Sequence, residues 1–266
     1  NLTESDIMVD SPTNNFCTWN PLANEPAGVG TLAEGNLKGT TGSAYNGFGS
    51  TMHIIPDGKT YIEFTPTAMA NNYYVGVLAT EQIAVQQKFY NGGPFYGYRT
   101  DGLFIYNPTD DPNDEANVST DVNTFGVGDI GQLAIDTTAN KIWIGKNNTW
   151  QFSGTQNPSA GTGGYSMTAH PAGWQVVFGT GSVSSSNTAV VNFGQDSSFA
   201  GNKTAQGNQD SNDIGDFYYE PPTDFLALCT SNLPEPAVIP SEHFNTVLWT
   251  GDHSNPRSFT GVGFQP

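Results

Sequence analysis

Residues 128–150, GDIGQLAIDTTANKIWIGKNNTW, constrain the fold of this chain more than any other stretch. Leu133 and Ile135 alternate with Gln132, Ala134 and Asp136. After a polar turn at 137–140, Ile142 and Ile144 alternate with Lys141, Trp143 and Gly145. Successive side chains of a strand point to opposite faces. The pattern therefore predicts a β-hairpin with Leu133, Ile135, Ile142 and Ile144 on a core and the other set facing outward. Trp143 falls in the outward set. A large ring left in water would waste its apolar area, so coverage by another piece of protein is expected, with Trp19 as a candidate neighbour.

The rest of the chain repeats the β signal. Strands are expected at 51–55, 60–65, 72–79, 103–106, 173–178 and 189–193, with PDGK (56–59) as the turn joining the first two. Glycine makes up 31 of 266 residues, and Asn and Thr are abundant; these residues favour turns and strands over helix interiors. Only TEQIAVQQK (80–88) could form a short helix, and Ile83 and Val85 also suit a strand. Strands at this spacing suggest a sandwich or barrel.

Charge excludes some partners. Eight Lys and Arg face 25 Asp and Glu, for a formal net charge of -17. Nucleic-acid binding needs clustered cations to displace phosphate counterions, so no nucleic-acid partner is expected. No segment approaches the ~20 apolar residues of a membrane-spanning helix, so no membrane insertion is expected.

Four parts are expected along the chain. Residues 1–36 read as a polar, Pro-punctuated arm packing on the body, 37–201 as a β-sandwich, and 202–236 as an insertion plus a segment returning to it. Residues 237–266 read as a linker and the start of a further β element. The start at Asn1 and the stop within a strand-and-turn pattern give the expectation that this is a piece of a longer protein. Cys17 and Cys229 sit in similar contexts, FCTWNPL and LCTSNLP. Either both are free and buried, or the end segments pack side by side and the thiols approach.

Two regions are candidate sites. FYNGGPFYGYRTDGLFIY (89–106) offers Tyr90, Phe95, Tyr96, Tyr98 and Arg99 as a receptor- or glycan-binding loop, since exposed aromatic faces anchor ligands at low entropic cost. The alternative is that these rings line the core and subunit contacts. Asp110, Asp111 and Asp114 in the acidic stretch 107–123, and Asp210 and Asp213 in NKTAQGNQDSNDIG (202–215), are oxygen ligands of the kind Ca²⁺ takes. They lack the spacing of an EF-hand loop, and solvated loops are the alternative; no other cofactor is expected. The 202–215 stretch reads as mobile or ion-bound. For catalysis, YIEFT holds a single Glu63 where a sandwich glycosidase needs paired carboxylates, and no GxSxG elbow exists. The chain is expected not to be an enzyme.

The hairpin also carries a likeness. Gly128 and Asp129, the strand-end Asp136 and the turn Lys146–Asn148 resemble the SPRY-domain pattern, and NFGQ (192–195) resembles the last core strand of that family. MVDSPTNNFCTWNPL (8–22), PPTDFLALCTSNLPEP (221–236) and HFNTVLWTG with FTGVGFQP resemble SPRY-containing, tail-fibre-like virion proteins of bacteriophages. The resemblance implies an all-β fold, a SPRY/concanavalin-like two-sheet antiparallel β-sandwich with N- and C-terminal extensions. It implies a non-enzymatic structural component of a phage virion, serving assembly and host-surface attachment. The implied partners are itself as a homo-oligomer (a trimer by analogy), other virion proteins, and a host-surface glycan or protein. A head-decorating protein, or a secreted lectin-like module, is the alternative.

Overall fold

Fifteen strands fill two antiparallel sheets in the computed structural model, which describes residues 14–25, 30–42, 47–70, 73–79, 94–109, 117–119, 122–180, 186–234, 246–248 and 250–251. In chain order they are β1 (Trp19–Glu25), β2 (Thr31–Ala33), β3 (Lys38–Thr40), β4 (Gly47–Ile54), β5 (Lys59–Ala68), β6 (Tyr73–Ala79), β7 (Phe95–Arg99) and β8 (Leu103–Asn107). Then come β9 (Asn117–Ser119), β10 (Gly131–Asp136), β11 (Lys141–Lys146), β12 (Thr149–Trp150), β13 (Tyr165–Ser166), β14 (Trp174–Thr180) and β15 (Thr188–Asn192). Among the described residues the only helical element is one 3₁₀ turn, Thr230–Asn232. None of their helices is long and apolar enough to cross a membrane.

The first sheet runs β1-β4-β14-β6-β7-β8-β9, and the second β12-β11-β10-β5-β15-β3-β2 with β13 beside β11. The expected hairpin is β10–β11, in register Leu133↔Ile144 and Ile135↔Ile142. Those four side chains are fully buried, together with Ile62 and Phe64 of β5 and Val75, Val77, Tyr96, Trp174, Val176 and Phe178 of the first sheet. This shared cluster is the apolar layer between the sheets, and its burial is the main drive for closing the sandwich.

The termini do more than drape over the body. Within the expected arm, β1 pairs β4 at the edge of the first sheet, and β2 forms an edge of the second. Pro21 lies where the β1–β4 register shifts, a position that tolerates a residue without an N–H. The acidic stretch also holds a strand: β9 pairs β8 through Ile105↔Val118. The expected ambiguity at 80–88 lies outside the described residues.

Residues 202–232 form a return that closes on the second sheet. Leu226 prolongs the line of β15 along β5, with Tyr61 N donating to Leu226 O (3.0 Å) and Leu226 N donating to Lys59 O (3.1 Å). Leu228 N donates to Phe193 O, and Cys17 N donates to Leu228 O at 2.9 Å. The two end segments are therefore side by side, with Phe16 opposite Cys229. The thiols are nevertheless free. Cys17 points into the layer between the sheets, whereas Cys229 shares the outer cluster with Phe16. Neighbouring residues of extended chain face opposite ways, which sets Cys17 against its neighbour Phe16. The chain divides into Asn1–Asn232 and a second unit, Leu233–Pro266; the linker and further β element expected in 237–266 fall almost wholly outside the described residues.

Candidate functional site

The outer face of the second sheet carries Tyr61 and Glu63 of β5, Gln132 and Ala134 of β10, Trp143 of β11 and Asn192 of β15. All six are at most 1 % exposed. The hairpin's second face is thus as buried as its first, because the return and the N-terminal segment lie over it. Phe217 stands edge-on to Tyr61 (5.1 Å between ring centres) and Phe225 edge-on to Trp143 (6.1 Å), with Phe16, Ala227 and Cys229 in the same cluster. Trp143 is covered, as its size demanded, but by Phe225 and the Gly164 backbone; Trp19 packs between the sheets against Phe178 and Phe193. A Cβ at Gly164 would lie 2.6 Å from the Trp143 ring, and its backbone has a positive φ of 72°. Glycine is required there on both counts.

Polar groups fix this covering in place. Glu63 accepts Tyr218 N and Tyr219 N (both 2.8 Å), the Tyr61 hydroxyl (3.0 Å) and Asn192 Nδ2 (3.3 Å). Gln132 Nε2 donates to the Tyr61 hydroxyl, and its Oε1 accepts Asn148 N. Burial pushes the Glu63 carboxyl up from 4.5 to about 7 and outweighs these donors, which favour the charge. Asn192, the first residue of NFGQ, also donates to Asp216 O, and Gln195 donates to Cys17 O (2.7 Å). The NFGQ motif is therefore the joint tying arm, return and β5 together.

The hairpin motif residues act similarly. Asp129 accepts Gly126 N, Asn147 Nδ2 and Lys146 Nζ (3.0 Å). Burial opposes its ionisation, yet those donors hold it below the usual carboxylate range. Asp136 accepts Ala139 N at 2.7 Å and so ties down the 137–140 turn.

The β7 rings of the aromatic segment do not present a ligand surface. Phe95, Tyr96 and Tyr98 lie in β7 and are 0–1 % exposed. Tyr96 packs on Trp174 between the sheets and its hydroxyl accepts Thr168 N; the Tyr98 hydroxyl donates to Asn123 O. Phe95 joins Tyr74, Leu78, Ile105 and Val177 on the other face of the first sheet. Arg99 is spent in a bidentate pair with Asp101 (2.7 and 2.8 Å). The expectation of a binding loop is corrected for the three buried rings; Gly97, opposite Gly76 of β6, alternates with them in a strand pattern that the Gly-rich spelling concealed. Tyr90 lies outside the described residues.

The Ca²⁺ candidates fare likewise. The Asp210 carboxylate accepts Asn212 N, Ile214 N, Ala227 N and Asn232 Nδ2, so its oxygens organise the return. Asp213 is exposed, with its own N–H donated to Asp210 O. Among the described residues no three His, Cys, Asp or Glu side chains gather as a metal site. The 202–215 stretch is a hydrogen-bonded structure, which corrects its reading as mobile or ion-bound. Asp110, Asp111 and Asp114 lie outside the described residues.

A groove opens where the return meets the hairpin. Its volume is about 330 Å³, and its lining includes Asn148, Trp150, Asn157, Ser159, Glu220 and Thr223, with Pro158, Pro221 and Pro222 beneath them. The three walls come from separate stretches. Asn147 and Asn148 form the β11–β12 turn with positive φ. The 157–162 loop is closed by reciprocal Asn157–Thr162 backbone bonds (2.9 and 3.0 Å). Thr223 N donates to Ser159 Oγ (2.9 Å), joining the loop to the return. Sequence reasoning missed this groove because about 60 to 70 residues separate the return from the other two walls; the half-buried Trp150 closing the hairpin and the Pro221–Pro222 pair were the available signals. A second hollow of about 270 Å³ beside His170 and Trp174 offers less, since the Thr137 hydroxyl there is already bonded to Gly58 and Ile55.

Comparison with solved structures agrees with this architecture. The chain is similar to the crystal structure of the SPRY domain of human HERC1, with a TM-score of 0.50 and 16% identity, over 65% of this chain and 96% of that one. It also matches the TRIM65 PSpry domain, with a TM-score of 0.43 and 10% identity, over 66% and 92%. No protein-family model matches the chain, and no curated protein matches it. The fold is thus a SPRY-like, all-β two-sheet sandwich. At such identity the likeness extends to fold alone.

Proposed function

We propose that this chain is a non-enzymatic binding module of a phage virion, taking part in assembly and in attachment to the host surface. The virion setting rests on the flanking motifs. Two of them, 8–22 and 221–236, contribute Cys17 and Leu228 to the joint around NFGQ, so they belong to one structural device. The observation that carries the binding role is the groove of Asn148, Trp150 and Glu220, a concave polar surface on a rigid scaffold. Absence of catalysis is supported at Glu63. Although poised near neutrality, it is fully buried and its oxygens are saturated by four donors, so no substrate can reach it.

The test is location and competition. Antibody against the chain should label purified virions at the tail, and the free protein should slow adsorption to host cells. Labelling on the capsid would reassign it as a head decoration. A chain absent from particles, or one that turns over a polysaccharide, would overturn the proposal.

A further inference from the structure

We infer that the Trp150 groove binds a neutral carbohydrate through stacking on the indole and hydrogen bonds with Asn148, Asn157, Glu220 and Thr223, the Glu220 carboxylate accepting. The inference rests on the attachment role above and adds the ligand's chemistry and its contacts.

The lining selects by exclusion first. Among the described residues no Lys, Arg or His lines the groove, and Glu220 is the one charged residue there, on a chain of net charge -17. Phosphates, sulfates and acidic sugars would meet repulsion with nothing to offset it. A purely apolar ligand would strip water from amides, hydroxyl and carboxylate without returning hydrogen bonds. A ligand dense in both donors and acceptors, uncharged, with one apolar face, remains.

The available groups match such a ligand. The Asn148 side chain, the Glu220 carboxylate and the Thr223 hydroxyl are exposed and make no hydrogen bond within the described residues. Asn157 uses only its Oδ1, accepting Ala160 N at 3.2 Å, and keeps Nδ2 for a ligand. A carboxylate accepts from two vicinal hydroxyls and an amide both gives and accepts, which suits the alternating hydroxyls of a sugar ring. Trp150 is half-buried. Its π face carries negative charge and meets the weakly positive C–H face of a pyranose. The volume, about 330 Å³, sits at the lower end of the roughly 300–1,000 Å³ usual for small-molecule sites.

The site is also held ready. The Asn148 backbone is tied to Gln132 (2.7 Å), Thr223 to Ser159, and Tyr218–Tyr219, just before Glu220, to Glu63. Three prolines stiffen the floor. Little ordering entropy is then lost when a weakly bonded ligand docks.

The experiment uses the whole chain against immobilised neutral oligosaccharides (hexose, deoxyhexose and N-acetylhexosamine series) and matched sulfated and sialylated ones, with host-cell binding measured in parallel. Expected is binding to a neutral member with a change in tryptophan fluorescence, lost at least tenfold in Glu220→Ala and Asn148→Gly. Glu220 is exposed and glycine tolerates the positive φ of 63° at 148, so their melting temperatures should stay at the parent value; Thr223→Val backs them where Trp150→Ala weakens the fold. Binding that survives all these variants, or a preference for the acidic series, overturns the assignment. Host-cell binding without any neutral glycan overturns the sugar while leaving the attachment role standing. Loss of both overturns the two together.

Discussion

The two faces of the second sheet are buried to the same degree by different means. The inner face presents Ile62, Phe64, Leu133, Ile135, Ile142 and Ile144, and meets the other sheet through apolar contact alone. The outer face presents Tyr61, Glu63, Gln132, Trp143 and Asn192, and meets a return that is itself irregular chain. Apolar contact is non-directional and tolerates small slides. Four donors converging on one carboxylate do not: each must arrive at its own angle, or a buried polar group is left unpaired at a cost of about 1–3 kcal/mol. The inner face supplies the bulk of the burial. The outer face fixes where the return lies, and hence where Glu220 and Thr223 stand.

The comparison breaks most readily at Trp143. If the outer face is core, Trp143→Ala should cost about 3–5 kcal/mol in urea denaturation, as for buried aromatics generally. A loss under about 1 kcal/mol would mean that the return covers the sheet without holding it. On the inner face Leu133→Ala should cost about 2–5 kcal/mol by the same measurement. Equal losses on the two faces would sharpen the claim that both are core.

Next in size is a pH effect peculiar to the outer face. Folded Glu63 titrates near 7, against an ordinary 4.5. Between those values the folded chain holds a proton that the unfolded chain has lost. This contribution is therefore present in full below about 4.5 and disappears as pH rises through about 7, by up to about 3 kcal/mol. Denaturation midpoints of Glu63→Gln should lack that part of the slope between pH 4.5 and 7.5. An unchanged slope would assign the titration to another group.

Within the return, Asp210→Ala should destabilise by about 1–3 kcal/mol by stranding its N–H partners, whereas exposed Asp213→Asn, which keeps a residue suited to the positive φ of 57° there, should stay within about 0.5 kcal/mol. Calorimetry distinguishes them, and equal effects would remove Asp210 from its organising place. The smallest expected effect is that of reductant. Burial pushes the Cys17 thiol up to about 11, so a thiol reagent should leave it unmodified until the chain unfolds, and dithiothreitol should not shift the melting temperature. A shift would mean that the thiols pair after all.

The hairpin was legible because strand alternation is local: Leu133, Ile135, Ile142 and Ile144 need only the period of two to declare their face. So was the sandwich class. The Phe95, Tyr96 and Tyr98 rings were open to two readings, since a strand buried on both faces loses its alternation and, with Gly97 among them, spells like a loop. Asp210 read as a metal ligand because sequence cannot show a carboxylate already filled by backbone N–H groups four and seventeen residues away.

By itself, then, the sequence determined the strands and the inner apolar face, because propensity and periodicity are properties of local stretches. Only the tertiary structure decided what covers Trp143, which neighbours saturate Glu63, and that Trp150, Asn157 and Glu220 share one groove. Those are juxtapositions of residues far apart in the chain, set by how the return closes on the sheet, and no local pattern records them.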